Sequence, residues 1–227
     1  MAADGTLTQT DNFISDGHGP RPEQEKSHLH YADLTPDQRL AVVDLGSDRV
    51  FTFDVSPAGK LDLVATYKAP AGFGPRHLVF HPNGKIAYLV GELSSQVQTL
   101  TYDETTGSFS FLQSLTTIPS DWQEHNGAAA IKISADGKFV YLSNRGHNSL
   151  AVFTVQADYT LALVQNISTY GEFPRDFALD PSQAFLLCAN QNTDNATLYQ
   201  RDSQSGLLTL LQKDITLPEG VCVKFTN

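Results

Sequence analysis

One short turn recurs along the chain, and its spacing limits the folds that the sequence can adopt. Four copies, aligned on their second residues, follow one another at intervals of 46, 53 and 46 residues: Thr35–Arg39, His81–Lys85, Ser134–Lys138 and Asp180–Ala184. Each copy lies between two short apolar segments, and two more apolar segments follow before the next copy. Four short strands in a repeat of this length, with little helical periodicity, are typical of a β-propeller blade. The sequence therefore predicts an all-β fold, a β-propeller of four-stranded blades.

The repeat divides the chain into whole and partial units. We predict one propeller domain over residues 1–227, with whole blades at about 30–75, 76–128, 129–174 and 175–219. Residues 5–16 resemble the fourth segment of a blade and predict an outer strand, whereas residues 220–227 predict the first strand of a further blade. This pattern favours a partial propeller that lacks N-terminal blades and self-associates through its open blade edges, since unpaired edge strands associate readily. The alternative is a small propeller closed by a second copy of the chain.

Composition narrows the classes of protein to which the chain can belong. The 227 residues are 41% hydrophobic and 18% charged, which is typical of a soluble globular protein with a sizeable core. The net charge of −10 argues against a nucleic-acid partner or an anionic membrane surface. Because the sequence shows no membrane-length apolar run and no signal-peptide pattern, we expect a cytoplasmic protein. Cys188 and Cys222 lie in apolar segments, and we expect both to be buried, reduced thiols.

Polar residues gather at the open end of one predicted hairpin, Gly72–Glu92. Arg76 and His77 precede its first strand, and Glu92 follows its second. Antiparallel strands bring these ends together, so Arg76 and Glu92 are predicted to be neighbours. Aligning the repeats extends the pattern into a ring around the channel. One ring position holds His30, Arg76, Ala129 and Arg175, and the other holds Leu45, Glu92, Arg145 and Gln191.

The ring predicts a local basic pocket on one rim of an acidic protein. Its polar members and their sequence neighbours are His28, His30, Arg76, His77, Glu92, Asn126, Asn144, Arg145, His147 and Arg175. Guanidinium groups bind phosphate or carboxylate through paired hydrogen bonds, so the pocket suits a small anionic substrate. The alternative is that Arg76 and Arg175 only pair with blade carboxylates such as Glu92. We expect no metal, because the set lacks the several carboxylates that a hard cation prefers.

Five motifs of the chain resemble those of the lactonase family of seven-bladed β-propellers. They are His28–His30 with the following TPD, Asp44–Phe51, Gly72–Glu92, Ala135–Phe153 and Gly171–Pro181. The family includes propeller-type 6-phosphogluconolactonases and the fungal carboxy-cis,cis-muconate cyclase. The resemblance covers essentially all of this chain and corresponds to the C-terminal two-thirds of a family member.

The resemblance implies an activity and assigns residues to it. The catalytic residues of the family correspond to His30, Arg76, Glu92 and Arg145. The implied reaction is hydrolysis of 6-phospho-D-glucono-1,5-lactone to 6-phosphogluconate, in the pentose phosphate pathway and without a cofactor. Either His30 or Glu92 accepts the proton of the attacking water, and arginines bind the anionic lactone. We expect substrate-binding roles for the remaining polar neighbours: His28, His77, Asn144, His147 and Arg175.

Two other functions remain open from the sequence. A lactonising cyclase that acts on a muconate-type substrate would use a similar anion pocket. A non-catalytic propeller that serves as a binding scaffold is the rival from another class, because a fold alone does not establish an activity. The convergence of histidine, arginine and glutamate on one rim favours an enzyme over a scaffold.

Overall fold

The computed structural model describes residues 4–226 and contains four four-stranded antiparallel sheets, each made of strands that are consecutive in the chain. The first and second sheets comprise β1 Leu29–Leu34, β2 Leu40–Asp44, β3 Arg49–Val55, β4 Leu61–Lys68, β5 Pro75–Phe80, β6 Ile86–Gly91, β7 Gln96–Asp103 and β8 Ser108–Thr116. The third and fourth comprise β9 Gly127–Ile133, β10 Phe139–Arg145, β11 Ser149–Val155, β12 Leu161–Ser168, β13 Pro174–Leu179, β14 Phe185–Asn190, β15 Asn195–Arg201 and β16 Leu208–Thr216. The predicted all-β fold of propeller blades is confirmed. We refer to the sheets as blades 1 to 4.

The repeated turn has the same backbone conformation in every blade. Its fourth residue, at position 38, 84, 137 or 183, lies in the left-handed region with φ between 61° and 74°. In each copy the amide of that residue donates to the carbonyl of the first residue, which closes the turn. Glycine adopts this conformation without strain, as at Gly84 and Gly137. Gln38 and Gln183 adopt it in the other two blades.

Burial follows the order of strands within a blade. All residues of β6 and β10 are buried, whereas the outer strands β4 and β8 consist mainly of half-buried and exposed residues. A central strand is covered on both faces by the adjacent blades, so it carries a continuous apolar run, Ile86–Val90 in β6 and Phe139–Leu142 in β10. The apolar core consequently lies between neighbouring blades, as where Tyr88 and Val90 of blade 2 meet Val140 and Phe153 of blade 3. The inner strands β5, β9 and β13 pack side by side, and together with β1 they line one cleft.

A second repeated contact joins each blade to the loop that leads into the next one. The turn between the second and third strands holds a residue in the left-handed region in every blade: Asp48, Ser95, Asn148 and Asp194. The carbonyl of each accepts the amide of the residue that follows the fourth strand: Ala69, Thr117, Thr169 and Leu217. This hydrogen bond fixes the point at which the chain leaves one blade for the next.

The side chains of these turn residues also hold the following loop, as Asp48 and Asn148 show. Asp48 accepts hydrogen bonds from the amides of Gly72 and Gly74 and from Nε2 of Gln24, each at 2.8 Å. Oδ1 of Asn148 accepts from the amide of Phe173 at 3.0 Å. The loop before Arg76 and the loop before Arg175 are thus anchored in the same way.

The two partial units do not form the predicted strands. Residues 5–16 and 220–226 carry no strand, and residue 227 lies outside the described part of the chain. A strand requires backbone hydrogen bonds to a neighbour, but residues 5–16 contact blade 1 through side chains. Oγ1 of Thr10 donates to the carbonyl of Gly59, Asp11 accepts from the amide of Leu61, and Phe13 packs on the phenylalanines of β3.

The cysteines differ in their burial. Cys188 lies within β14 and is buried as predicted. Cys222 is exposed, so its predicted burial is wrong, because the segment that carries it is not incorporated into a sheet. Both thiols are free.

Of the described residues, the only helical ones form two three-residue 3₁₀ turns, Pro22–Gln24 and Gln191–Thr193, and neither could cross a bilayer.

The anchoring role of Asp48 can be tested by substitution. We expect Asp48→Ala to lower the free energy of unfolding by about 3 kcal/mol, because three buried donors lose their acceptor and alanine disfavours the left-handed backbone. Asp48→Asn, which introduces the residue that blade 3 uses at this position, is the matched control and should cost about 1 kcal/mol. Urea unfolding measures both. Equal stability of the wild type and Asp48→Ala would contradict the anchoring role.

Candidate active site

The centre of the candidate site is a carboxylate placed between two guanidinium groups. Oε2 of Glu92 lies 2.8 Å from Nε of Arg76, and Oε1 lies 2.9 Å from Nη2 of Arg145. The Nε–H of Arg76 is not aligned for a hydrogen bond with the carboxylate, so that contact is an ion pair. Arg76 and Glu92 belong to blade 2 and Arg145 belongs to blade 3, so the group spans a blade interface. Arg76 and Glu92 are therefore neighbours, as the hairpin pattern predicts.

The blade register explains why these three residues meet. The amide of Glu92 donates to the carbonyl of Gly74 at 2.8 Å, just past the pairing of Pro75 with Gly91. Arg145 occupies the same position in blade 3, where it pairs with Gly127. In blades 1 and 4 the amides of Leu45 and Gln191 donate to the carbonyls of His28 and Phe173. The four residues that the repeat alignment equates, Leu45 among them, are therefore structurally equivalent.

Arg76 is held rigidly within the interface. Its residue exposure is 2%, and Nη1 donates to the carbonyl of Ala129 at 2.8 Å. Burial, followed by the positive charge of Arg145, lowers the pKa of Arg76 to about 10, although Glu92 opposes the shift. The group remains charged at neutral pH. Two guanidinium groups this close repel each other, and Glu92 offsets that repulsion.

Arg145 is held by the backbone of the neighbouring strand and by an aromatic ring. Nε donates to the carbonyl of Gly127 at 3.1 Å, and Nη2 donates to that of Ala128 at 3.4 Å. A Cβ at position 127 would stand 3.0 Å from Nη2, so glycine leaves room for the guanidinium. The ring of Phe173 lies on one face, with Cζ of Arg145 5.0 Å from the ring centroid.

His30 lies beside this group on the channel wall. A cleft of about 310 Å³, which we call the channel cleft, is lined by His30, Arg76, His77, Lys132, Arg175 and Asp176, among others. The His30 side chain is exposed to the cleft, yet partial loss of hydration, followed by the positive charge of Arg76, lowers its pKa to about 4. Arg145 and Arg175 act in the same direction. His30 is therefore a neutral imidazole at pH 7, able to accept a proton.

His77 also lines the channel cleft, where it packs against its neighbours. Its ring centroid is 5.1 Å from those of His30 and Tyr31, and its Nε2 lies 3.2 Å from Nη1 of Arg76. Burial, followed by Arg76, lowers the pKa of His77 to about 2. His77 is thus placed as a neutral side chain against the arginine.

A second cleft opens on the other side of the ion pair. Its volume is about 410 Å³, and its lining includes Arg21, Glu92, His125, Arg145 and Phe173. Glu92 lines this cleft and its partner Arg76 lines the channel cleft, so the ion pair connects the two. The second cleft sets Arg21 and Arg145 against the carboxylates of Glu23, Glu92 and Glu124. The channel cleft has more cationic side chains than carboxylates, because Lys132 and Arg175 join Arg76 there.

Three residues with predicted substrate contacts lie outside both clefts. His28 pairs with Glu25 at 3.2 Å. Asn144 is fully buried, and its amide group hydrogen-bonds Thr117, Asn126 and Ser149, so it supports the loops instead of facing a ligand. His147 contacts Ser149 at 2.6 Å and packs edge-on against Trp122, and burial lowers its pKa. Adjacency in sequence did not bring these three side chains into either cleft, and their substrate contacts stay predictions.

The structure also adds residues that the sequence reasoning missed. Arg21 and His125 come from loops that do not repeat, so the alignment of blades gave no signal for them. Lys132 lies in the inner strand β9, three residues after Ala129, which holds the ring position of that blade. Because side chains alternate along a strand, the alignment gave no reason to group Lys132 with the ring. Phe173 occupies the repeat position of Gly74, and comparison of those two positions would have found it. Within residues 4–226, no three His, Cys, Asp or Glu side chains group to hold a metal ion.

Comparison with known proteins relates the chain to one family. The family model described as "Lactonase, 7-bladed beta-propeller" matches residues 1–225. A 6-phosphogluconolactonase of Bacillus subtilis is 44% identical over 213 residues, which make up 93% of this chain and 61% of that protein. A solved structure from Lactobacillus plantarum is 62% identical with a TM-score of 0.98, covering 100% of this chain and 66% of the other.

A solved structure of a periplasmic gluconolactonase from Pseudomonas aeruginosa is also similar. It is 35% identical with a TM-score of 0.88, covering 96% of this chain and 62% of the other. The chain thus spans between 61% and 66% of the length of these three proteins. With a matching family model and this degree of identity, the chain belongs to the lactonase family of seven-bladed β-propellers.

Proposed function

We propose that the chain hydrolyses the lactone of a phosphorylated sugar acid, 6-phospho-D-glucono-1,5-lactone, to 6-phosphogluconate. The observation that carries the proposal is the Arg76–Glu92–Arg145 group beside the neutral imidazole of His30. Membership of the lactonase family and similarity to a 6-phosphogluconolactonase support it. This reaction is a step of the oxidative pentose phosphate pathway, and we propose that the whole protein acts in that pathway.

The arginines supply charge where the reaction needs it. Attack of water on the lactone carbonyl converts its oxygen into an oxyanion, and fixed cationic donors stabilise that charge without reorganising. Arg76 and Arg145 are fixed by the carbonyls of Ala129 and Gly127. The substrate phosphate needs a second cationic position, which Arg175 and Lys132 offer in the channel cleft.

His30 is the better placed of the two candidate bases. Both carboxylate oxygens of Glu92 already face guanidinium groups, whereas His30 is neutral and opens to the cleft. In the proposed mechanism His30 takes a proton from the attacking water, and a C–O bond forms at the carbonyl carbon. When the ring C–O bond breaks, the imidazolium returns the proton to the departing ring oxygen. Glu92 then acts as a positioning residue that orients both arginines.

Substitution of the central group tests this function. We expect Arg76→Lys to lower kcat/KM by at least about tenfold, because lysine loses the planar, paired donors of guanidinium. His30→Ala should lower kcat, and Glu92→Gln should lower kcat/KM by freeing the two arginines. Arg39→Lys is the matched control, since Arg39 pairs with Asp37 and Asp54 and lines neither cleft. Lactone hydrolysis, corrected for the spontaneous reaction, is the measurement.

The same assay separates the proposed function from its rivals. A protein that converts a muconate-type substrate but leaves the phosphorylated lactone untouched would be a lactonising cyclase. A protein that accelerates neither reaction would be a binding scaffold. Wild-type rates in His30→Ala, Glu92→Gln and Arg76→Lys would remove these residues from the mechanism.

The acid limb of the pH profile reports the environment of His30. The base works only when deprotonated, so kcat/KM falls as the pH drops through the pKa of His30. Because the surroundings lower this pKa from 6.5 to about 4, we expect activity to persist well below pH 6.5 and to fall near pH 4. Arg175→Gln removes one charge that lowers the pKa, so its acid limb should move to higher pH. A wild-type limb near pH 6.5, or an unmoved limb in Arg175→Gln, would contradict His30 as the base.

A further inference from the structure

Phe173 adopts a backbone conformation that bulky residues rarely take. Its φ is +63°, in the left-handed region, and the equivalent residue of blade 2 is Gly74 with φ +62°. Glycine reaches this region freely, whereas a side chain with a Cβ is strained there. Such outliers persist only where the surrounding structure imposes them, and they concentrate at functional sites. The aromatic residue at a position that suits glycine therefore requires an explanation.

The backbone of Phe173 is held from both sides. Its amide donates to Oδ1 of Asn148 at 3.0 Å, and its carbonyl accepts from the amide of Gln191 at 3.1 Å. The first partner belongs to the turn between the second and third strands of blade 3, and the second belongs to blade 4. These contacts fix the backbone and thereby the direction in which the side chain leaves it.

That direction places the ring against Arg145. The ring centroid is 5.0 Å from Cζ, within the range of a cation–π contact, and Phe173 lines the same cleft as Arg145. Phe173 is half-buried, so the ring covers the guanidinium and also borders the space that a ligand would enter. A glycine at this position would satisfy the backbone and leave that face of Arg145 open.

The remaining contacts of Arg145 show what the ring achieves. Nε and Nη2 are engaged by the carbonyls of Gly127 and Ala128 and by Glu92. No residue of the described range 4–226 hydrogen-bonds Nη1. With one face against the ring and two nitrogens engaged, the guanidinium plane is fixed and Nη1 is left for a ligand in the cleft.

We propose that Phe173 is a positioning residue that orients Arg145 so that its Nη1 edge binds an anionic oxygen of the substrate. This inference rests on the proposed lactone hydrolysis for its kinetic consequence. The geometry of the inference concerns only Phe173 and Arg145 and is independent of the proposed reaction. The π-face is the essential property, so tyrosine should replace Phe173 and an aliphatic residue of similar bulk should not.

Three substitutions test the proposal in the whole chain. We expect Phe173→Leu to lower kcat/KM for the phosphorylated lactone roughly three- to thirty-fold, mainly through KM, the range that a cation–π contact supports. Phe173→Tyr should stay within about twofold of the wild type. Phe173→Gly should lose activity as Phe173→Leu does, while its unfolding temperature stays within about 5 °C of the wild type because the backbone strain is relieved.

A readout without substrate separates this inference from the proposed function. In nitrogen-15 NMR spectra, the Nε–H signal of Arg145, assigned by its loss in Arg145→Lys, should be displaced by the ring of Phe173. We expect the displacement in the wild type and in Phe173→Tyr, and its loss in Phe173→Leu. An unchanged signal in Phe173→Leu would overturn the positioning role. If the signal responds as expected but the wild type hydrolyses no lactone, the proposed function fails and the geometry stands.

Discussion

The structure of the site depends on one carboxylate that two guanidinium groups share. Glu92 lies within 3 Å of a nitrogen of both Arg76 and Arg145 and carries only half of their combined charge. The group is therefore cationic overall, which makes it a fixed site for an anion. Without Glu92 the two buried arginines would repel each other across the interface between blades 2 and 3. Loss of hydration, followed by the positive charge of Arg76, lowers the pKa of His30, so the arginine of the ion pair also helps to keep the candidate base neutral.

The propeller places this group by repeating one geometry and changing the residues in it. The second strand of each blade ends opposite the entry to its inner strand, and Leu45, Glu92, Arg145 and Gln191 occupy that position in turn. The left-handed turn residues then anchor the next entry loop, as Asp48 does for the loop before Arg76. Function arises where neighbouring blades carry complementary residues at equivalent positions. Phe173 is an instance, because it replaces the glycine of blade 2 and covers the arginine of blade 3.

The sequence predicted the features that repeat. The turn spacing gave the blades, and the hairpin argument gave the proximity of Arg76 and Glu92, since both follow from strand periodicity and antiparallel pairing. The sequence did not predict the direction of the side chains that flank the repeated positions. Asn144 directly precedes Arg145, but alternation along β10 sends it into the loops behind the site. Arg21 lies in a loop without a counterpart in other blades, so only the folded chain shows it beside Glu92. Residues 5–16 repeat the strand pattern, yet side-chain contacts hold them.

A crystal structure of the chain with bound 6-phosphogluconate would show whether the cationic group around Glu92 binds the substrate anion with His30 facing the reacting carbon. We predict a carboxylate oxygen of the product within about 3.2 Å of a guanidinium nitrogen of Arg76, the central arginine that shares the channel cleft with His30, and His30 bordering the same carboxyl carbon. Product bound away from both arginines, or with its carboxyl group remote from His30, would contradict the account.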